Sequence, residues 1–195
     1  MIATRSVRPS PLTSAAVVLT SVDYAKSKGF ADPVRIKAIS TVTPRYPQTV
    51  IDMPHFSTDS SAVVHAAPDF KDTIARAAYE EAGIGPEDVN VAEVYDLSTA
   101  LELDWYEHIG LCARGEAEQL LRSGATTLGG RVPVNPSGGL ACFGEAVPAQ
   151  ALQQVCEITW QLRGQADDRQ VEGARVGITA NQGLFGHGSS VILSI

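Results

Sequence analysis

Val91-Ala92-Glu93-Val94-Tyr95-Asp96-Leu97-Ser98-Thr99-Ala100-Leu101 is the stretch on which the fold turns. Val91 to Tyr95 reads as a short strand, and Leu101, Trp105, His108 and Cys112 then recur at the spacing of one helical face, so a strand feeds directly into a helix. Upstream, Phe70, Ile74, Ala77, Ala78 and Glu81 follow helical spacing, with Pro68 near the first turn and Gly83 just past the end. Further upstream, Ala15 to Thr20 is a continuous β-rich run, and Val34 to Val42 places Val34, Ile36, Ala38, Ser40 and Val42 on one face, with a second apolar position at Ile39.

Downstream, residues 113–141 are rich in Gly, Ser, Thr and Pro and read as loop with a small helix near 116–123. Val147, Ala151, Val155, Ile158 and Leu162 share one face of a second long helix, with Pro148 in its first turn and Gly164 at its stop. Two strands, 175–180 and 189–194, close the chain around a turn holding Gly183, Gly186 and Gly188. Strands alternating with helices predict a mostly parallel sheet covered on both faces, with the last two strands pairing antiparallel. The first thirteen residues show no apolar period and are expected to be an arm, with order beginning near Ser14, while Pro44, Pro47, Pro54 and Pro68 punctuate a long excursion over 43–67.

The 195 residues bury enough surface to fold without a disulfide or a metal, and 44% hydrophobic with 19% charged residues excludes disordered, collagen-like and disulfide-scaffold classes. A net charge of -7 without a Lys/Arg cluster argues against nucleic acid, and no apolar run approaches the roughly 20 residues of a membrane helix, which leads to the expectation of a cytoplasmic protein. Cys112, Cys142 and Cys156 lack disulfide or zinc spacing and are expected to be small buried apolar residues; no metal site is expected. Gly-x-Ser-x-Gly, Walker-type and Gly-x-Gly-x-x-Gly motifs are absent.

In an α/β layered fold, sites collect in loops at strand ends. Three loops qualify: Tyr95 to Thr99, Asn135 to Glu145 and Asn181 to Ser190. Glu93-Val94-Tyr95-Asp96, followed by Ala100-Leu101-Glu102-Leu103 and Ile109-Gly110-Leu111-Cys112, resembles the segment carrying the His-Asp-Cys-Phe motif of sterol-carrier-protein-type thiolases. Asn135-Pro136-Ser137-Gly138-Gly139-Leu140 resembles the loop leading into that family's Gly-His-Pro motif, and Asn181-Gln182-Gly183-Leu184-Phe185-Gly186 its glycine-rich C-terminal loop.

The resemblance spans residues 14–195. It implies the C-terminal half of a thiolase-superfamily protein, a layered mixed five-stranded sheet with helices on both faces, in which 14–28 is a stub of the N-terminal half. The nucleophilic Cys and most of the CoA-binding surface belong to that other half. Where the family has His-Asp-Cys-Phe, this chain has Tyr95-Asp96-Leu97-Ser98, and Gly-His-Pro is replaced by Gly144-Glu145-Ala146. Loss of the imidazole and the second thiol argues against thiolytic chemistry. A tyrosine at the first position is similar to thiolase-like aldolases acting on steroid side-chain CoA thioesters, where a phenol serves as acid or base in carbon–carbon cleavage.

The resemblance therefore implies Tyr95 and Glu145 as catalytic residues, and Asp96, Ser98, Asn135, Ser137, Gly138, Gly139, Asn181, Phe185 and His187 as substrate-binding residues. The substrate would be a steroid or fatty-acyl CoA thioester with no covalently bound cofactor. The partner would be an N-terminal half, a further copy of the chain, or both. Each reading has a plain counterpart. A tyrosine ending a strand is commonly half-buried with its hydroxyl satisfied, and a carboxylate before a helix answers the helix dipole. His187 is equally a solvated loop residue, His108 is expected to be packed, and His55 and His65 lack metal-ligand spacing. The alternative function is a non-catalytic lipid-binding or oligomerisation module with a vestigial site. A further alternative is that the chain is a piece of a longer protein, since Met1 falls just before a strand that ends the family's N-terminal half.

Overall fold

The computed structural model describes residues 2–4, 14–31, 33–43, 70–146, 149–183 and 187–195, with the backbone alone at 2–4 and 70. The strands are β1 (Ile2–Thr4), β2 (Val17–Leu19), β3 (Arg35–Val42), β4 (Val91–Val94), β5 (Val176–Gln182) and β6 (Gly188–Ser194). The helices are α1 (Val22–Ser27), α2 (Phe70–Ala82), α3 (Thr99–His108), α4 (Ala117–Arg122), α5 (Gly139–Phe143) and α6 (Ala149–Leu162). Pro68, Val147, Pro148 and the excursion from Pro44 to Ala67 lie outside the described residues.

Four strands form one mixed sheet in the order β3-β6-β5-β4. The last two strands pair antiparallel as expected, but the expectation of a mostly parallel sheet is corrected, because only β4 and β5 pair in parallel. Strand–helix alternation does point β3, β4 and β5 the same way. The tight return after β5 then inserts β6, running the other way, between β5 and β3. Among the described residues, the β4 edge is extended by a single parallel bridge from Val134 to Ala92. β2 pairs antiparallel with β1, so Ile2–Thr4 is a strand where the absence of an apolar period predicted an arm.

The two faces carry separate cores. One is built from Ile74, Ala75, Ala78 and Tyr79 of α2, Leu101 and Trp105 of α3, and Ala92, Val94, Ile178, Ala180 and Ile192 of the sheet. The other joins Val155, Ile158 and Leu162 of α6 to Val91, Leu193 and Val34. Each fully buried Ile, Leu or Val is worth roughly 1.5–3 kcal/mol, so both layers are driven by apolar burial. Gly177 permits the close approach of α6, since a Cβ there would run into Ile158.

β3 does not keep the single face that its alternation predicts. Its register against β6 slips between Ile36 and Ala38, so that Ile36 pairs with Leu193 and Ala38 with Ile192. A bulge moves the following side chains to the opposite face. Val34 accordingly joins the α6 core and Ala38 the α2 core. On α2, the buried stripe is Ile74, Ala75, Ala78 and Tyr79; Glu81 is exposed, and its carboxylate accepts the Ile39 N–H at 3.2 Å on the free edge of the sheet. Among the described residues no helix is long and apolar enough to cross a membrane.

Candidate functional site

Tyr95 continues β4 by one residue, its N–H donating to the Ala180 carbonyl at 2.9 Å. The next residues turn into α3, whose first amides need partners. Ser98 caps this helix, accepting the Leu101 N–H at 3.3 Å. The Tyr95 side chain is 5% exposed, and its hydroxyl donates to Glu145 Oε1 at 2.5 Å, joining two residues fifty positions apart. Burial, then the hydrogen bond to Glu145 and its charge, push the phenol above its ordinary value. It holds its proton at neutral pH and presents it to an exposed carboxylate.

The loop from Pro133 to Gly139 is fastened along the β4 edge. Ala92 donates to the Pro133 carbonyl at 3.0 Å and accepts from the Asn135 N–H at 2.8 Å, while Asn135 Oδ1 accepts the Val94 N–H at 2.8 Å. Asn135 takes a left-handed φ of 49°, a conformation asparagine tolerates better than most residues. Ser137 gives both its N–H and its hydroxyl to the carboxyl group of Glu93, at 3.1 and 2.7 Å, and Ser137 Oγ in turn accepts the Gly139 N–H at 3.1 Å. Asp96 accepts the Leu140 N–H at 2.9 Å. Gly139 has a φ of 61°, and a Cβ there would occupy the place of the Asp96 carboxylate. α5 then runs one short turn and delivers Glu145 to the phenol.

Burial raises the Asp96 carboxyl above its ordinary value against the opposing Leu140 hydrogen bond. Glu93 is pushed further, to about 8, by its complete burial, with Glu157 and Asp96 adding to the shift and the Ser137 hydrogen bonds opposing it. Sequence reading missed Glu93, although the one ionisable residue inside Val-Ala-Glu-Val is itself a signal: lone carboxyls are seldom buried without a purpose.

The third loop joins less tightly. Asn181 is buried at the end of β5 and donates from Nδ2 to Gln154 Oε1 at 2.6 Å. His187 is exposed, with its ring lying over Gly183, and its carbonyl accepts the Gly183 N–H at 2.7 Å. Phe185 lies outside the described residues. Thus Tyr95, Glu145, Asp96, Asn135, Ser137, Gly138 and Gly139 form one hydrogen-bonded unit, Ser98 serves the adjoining helix, and Asn181 belongs to the α6 side of β5.

Elsewhere, His108 is packed as expected, with Nδ1 2.8 Å from Asp72 and Nε2 3.1 Å from Asp104. Lys71 reaches Asp104 at 2.6 Å, and Arg114 grips both Asp72 oxygens at 2.6 and 2.7 Å. A cleft of about 460 Å³ beside this cluster, walled by Tyr79, Ile84, Pro86, His108 and Ile109, contains none of the residues of the Tyr95 site. The expectation that all three cysteines are buried is corrected at Cys142, which is exposed because α5 is a single turn at the surface; Cys112 is half-buried and Cys156 buried. Among the described residues no group of three or more His, Cys, Asp or Glu is arranged to hold a metal.

Residues 52–195 match the family model described as thiolase C-terminal domain-like. The chain is 37% identical over 178 residues to sterol carrier protein 2 of Rattus norvegicus, covering 91% of this chain and 31% of that protein. It is 34% identical over 157 residues to the benzoylsuccinyl-CoA thiolase subunit BbsB of Thauera aromatica, covering 80% of this chain and 38% of that protein. In structure it is similar to a chain of the Ltp2-ChsH2(DUF35) aldolase, with a TM-score of 0.64 at 25% identity, covering 82% of this chain and 38% of that one. The chain spans about a third of the length of these curated relatives. It belongs to the thiolase C-terminal domain-like family and is a thiolase-like domain of the lipid-transfer, sterol-carrier-protein type.

Proposed function

We propose that this domain is the C-terminal half of an acyl-CoA enzyme that breaks or forms a carbon–carbon bond next to a thioester, on a steroid or fatty-acyl CoA, with Tyr95 and Glu145 as its acid–base pair. The observation that carries the reading is the 2.5 Å hydrogen bond from the Tyr95 phenol to Glu145, at the two positions where the family's imidazoles are replaced. With no imidazole and no second thiol there, proton transfer falls to the groups that remain.

For a β-hydroxyacyl thioester, the phenol oxygen takes the β-hydroxyl proton as its own proton passes to Glu145. The β-oxygen forms a carbonyl, the Cα–Cβ bond breaks, and its electron pair remains as the thioester enolate. Protonated Glu145 then returns a proton to Cα, which leaves an aldehyde or ketone, a shortened acyl-CoA and the original pair. A phenol raised by burial does not favour a free phenolate, so the two transfers are concerted.

The pair supplies proton transfer alone, so binding of the thioester falls to an N-terminal half brought by a partner subunit or by a further stretch of chain. Val18 and Leu19, adjacent on β2 and each more than half exposed, support association, since neighbouring exposed large apolar side chains mark partner surfaces. The names of two relatives point the same way: one is a thiolase subunit and the other an aldolase written with a second component.

The test is the assembly recovered by native mass spectrometry, assayed with 3-hydroxyacyl-CoA thioesters. Tyr95→Phe is expected to lower kcat by about 10²–10⁴-fold with an unchanged circular dichroism spectrum. Full activity in that variant removes the phenol from the mechanism. An assembly that binds acyl chains without turning over any thioester replaces this reading with a lipid-binding module.

A further inference from the structure

The mechanism above does not use Glu93, yet this carboxyl group is the centre of the site's construction. It is fully buried on β4, two residues before Tyr95, and its two oxygens take the N–H and the hydroxyl of Ser137. Ser137 Oγ carries the Gly139 N–H, and the next amide, Leu140, closes on Asp96. From Leu140 the chain has only the short α5 to cross before Glu145 meets the phenol. The position of Glu145 is therefore set by a chain of contacts whose first link is Glu93.

The charges around Glu93 fix its state. Glu157 of α6 and Asp96 face it, and among the described residues the nearby cation is Arg169. Arg169 is committed to Glu157, at 3.0 and 3.3 Å, and Gln161 donates to the same carboxylate at 2.9 Å. Across β5 the neighbour is Thr179, which is uncharged. Two buried glutamates share one guanidinium, which goes to Glu157, so Glu93 is left without a counter-charge; a buried carboxyl group in that position keeps its proton.

We infer that Glu93 is a positioning residue: its buried carboxyl group clasps Ser137 to β4 and thereby holds Glu145 against Tyr95. This consequence for the pair rests on the acid–base reading of the site, whereas the clasp itself can be read without turnover. Ionisation of Glu93, whose carboxyl is pushed up to about 8, places an unpaired charge beside Glu157 and Asp96, which the two Ser137 hydrogen bonds only partly offset, so the Ser137 amide reports the titration.

The experiment uses the full chain in whatever assembly it forms. Amide exchange at pH 7 is followed by mass spectrometry for the loop and for the β5–β6 hairpin. In Glu93→Leu, exchange over 136–140 is expected to quicken at least tenfold with the hairpin unchanged, and Glu93→Gln, a neutral isostere, is expected to restore protection. In parallel, the Ser137 amide resonance is expected to titrate with a midpoint near 8 in the natural chain and to stay flat in Glu93→Gln. Unchanged loop protection in a folded Glu93→Leu, or a titration that persists in Glu93→Gln, overturns the inference. Should Glu93→Leu fail to fold, the Gln titration decides it alone. Full turnover by Tyr95→Phe with the clasp titration intact would sink the acid–base reading and leave the clasp standing.

Discussion

Two polar clusters are partly buried in this domain, and burial acts on both in the same direction with opposite results. Around β4 and its loop, Glu93, Asp96 and Tyr95 are all held above their ordinary values by burial. Between α2 and α3, burial also pushes Asp104 up, but the hydrogen bond and charge of His108, together with Lys71, outweigh it and hold that carboxyl near 2. The difference is the supply of cations. Asp72 and Asp104 are met by Arg114, Lys71 and His108, whereas Arg169 pairs with Glu157 and leaves Glu93 and Asp96 without an ion pair among the described residues. A cluster with matched charges is a fastener. A cluster with too few cations retains protons, and retained protons are what acid–base chemistry needs.

The sharpest way to break this comparison is to strip the matched cluster of one partner. Asp104→Ala leaves Lys71, which is almost wholly buried, without its 2.6 Å carboxylate, and removes one of the two acids on His108. Losing one member of a fully buried pair costs about 3–5 kcal/mol, but the Asp104 side chain is nearly a third exposed, so urea unfolding should show a smaller loss of about 2–3 kcal/mol. A loss below about 1 kcal/mol would mean that the cluster behaves as a surface ion pair and that its charges were never effectively desolvated.

The pH dependence of stability should then separate the clusters by sign. Glu93 has a folded-state value raised from near 4.5 to about 8, so its contribution is complete below about 4.5 and is lost as pH rises through about 8. Asp104 is depressed from 3.8 to about 2, so its contribution is present above 3.8 and is lost as pH falls through about 2. Thermal unfolding scanned over pH should show both limbs. Glu93→Gln should flatten the alkaline limb and leave the acid one; Asp104→Asn should do the reverse at a lower overall stability. An alkaline limb unchanged in Glu93→Gln would show that Glu93 is not the group that titrates.

The two clusters were not equally legible in the sequence. The long elements α2, α3, α6 and the β5–β6 pair follow from apolar periods, because packing a face against a sheet imposes those periods. α1 and α5 escaped because they are six and five residues long: α1 rests on a local cap, Ser21 accepting the Tyr24 N–H, and α5 on a distant carboxylate, Asp96 accepting the Leu140 N–H. The bulge in β3 leaves an alternating pattern that looks unbroken, since Ile36 and Ala38 are both apolar. Tyr95 and Glu145, fifty residues apart, were paired only through resemblance to a family; periodicity has no means of bringing them together. Glu93 and the cluster at His108 carried a local trace, ionisable residues among buried apolar ones, but their partners come from other elements and only the fold supplies them.

The smallest expected effect probes how rigidly the proton-retaining cluster is built. Gly139 combines a φ of 61° with a position where a Cβ would displace the Asp96 carboxylate. Alanine there pays for a left-handed backbone, about 1 kcal/mol, and must also move Asp96 or the turn, so Gly139→Ala should destabilise the domain by about 1–3 kcal/mol. The informative readout is where the disturbance goes. If the loop and β4 form one unit, the variant should lose the Asp96–Leu140 contact and protection over 136–140 together, while the ion-pair cluster at Asp72 and Asp104 keeps its exchange rates. Alanine at Gly83, which has a φ of 69° but open space around its would-be Cβ, should cost only the backbone part and leave the loop protected. Equal behaviour of the two alanines would show that Asp96 yields freely, and that the carboxyl groups around Tyr95 are not held in place by the backbone packed against them.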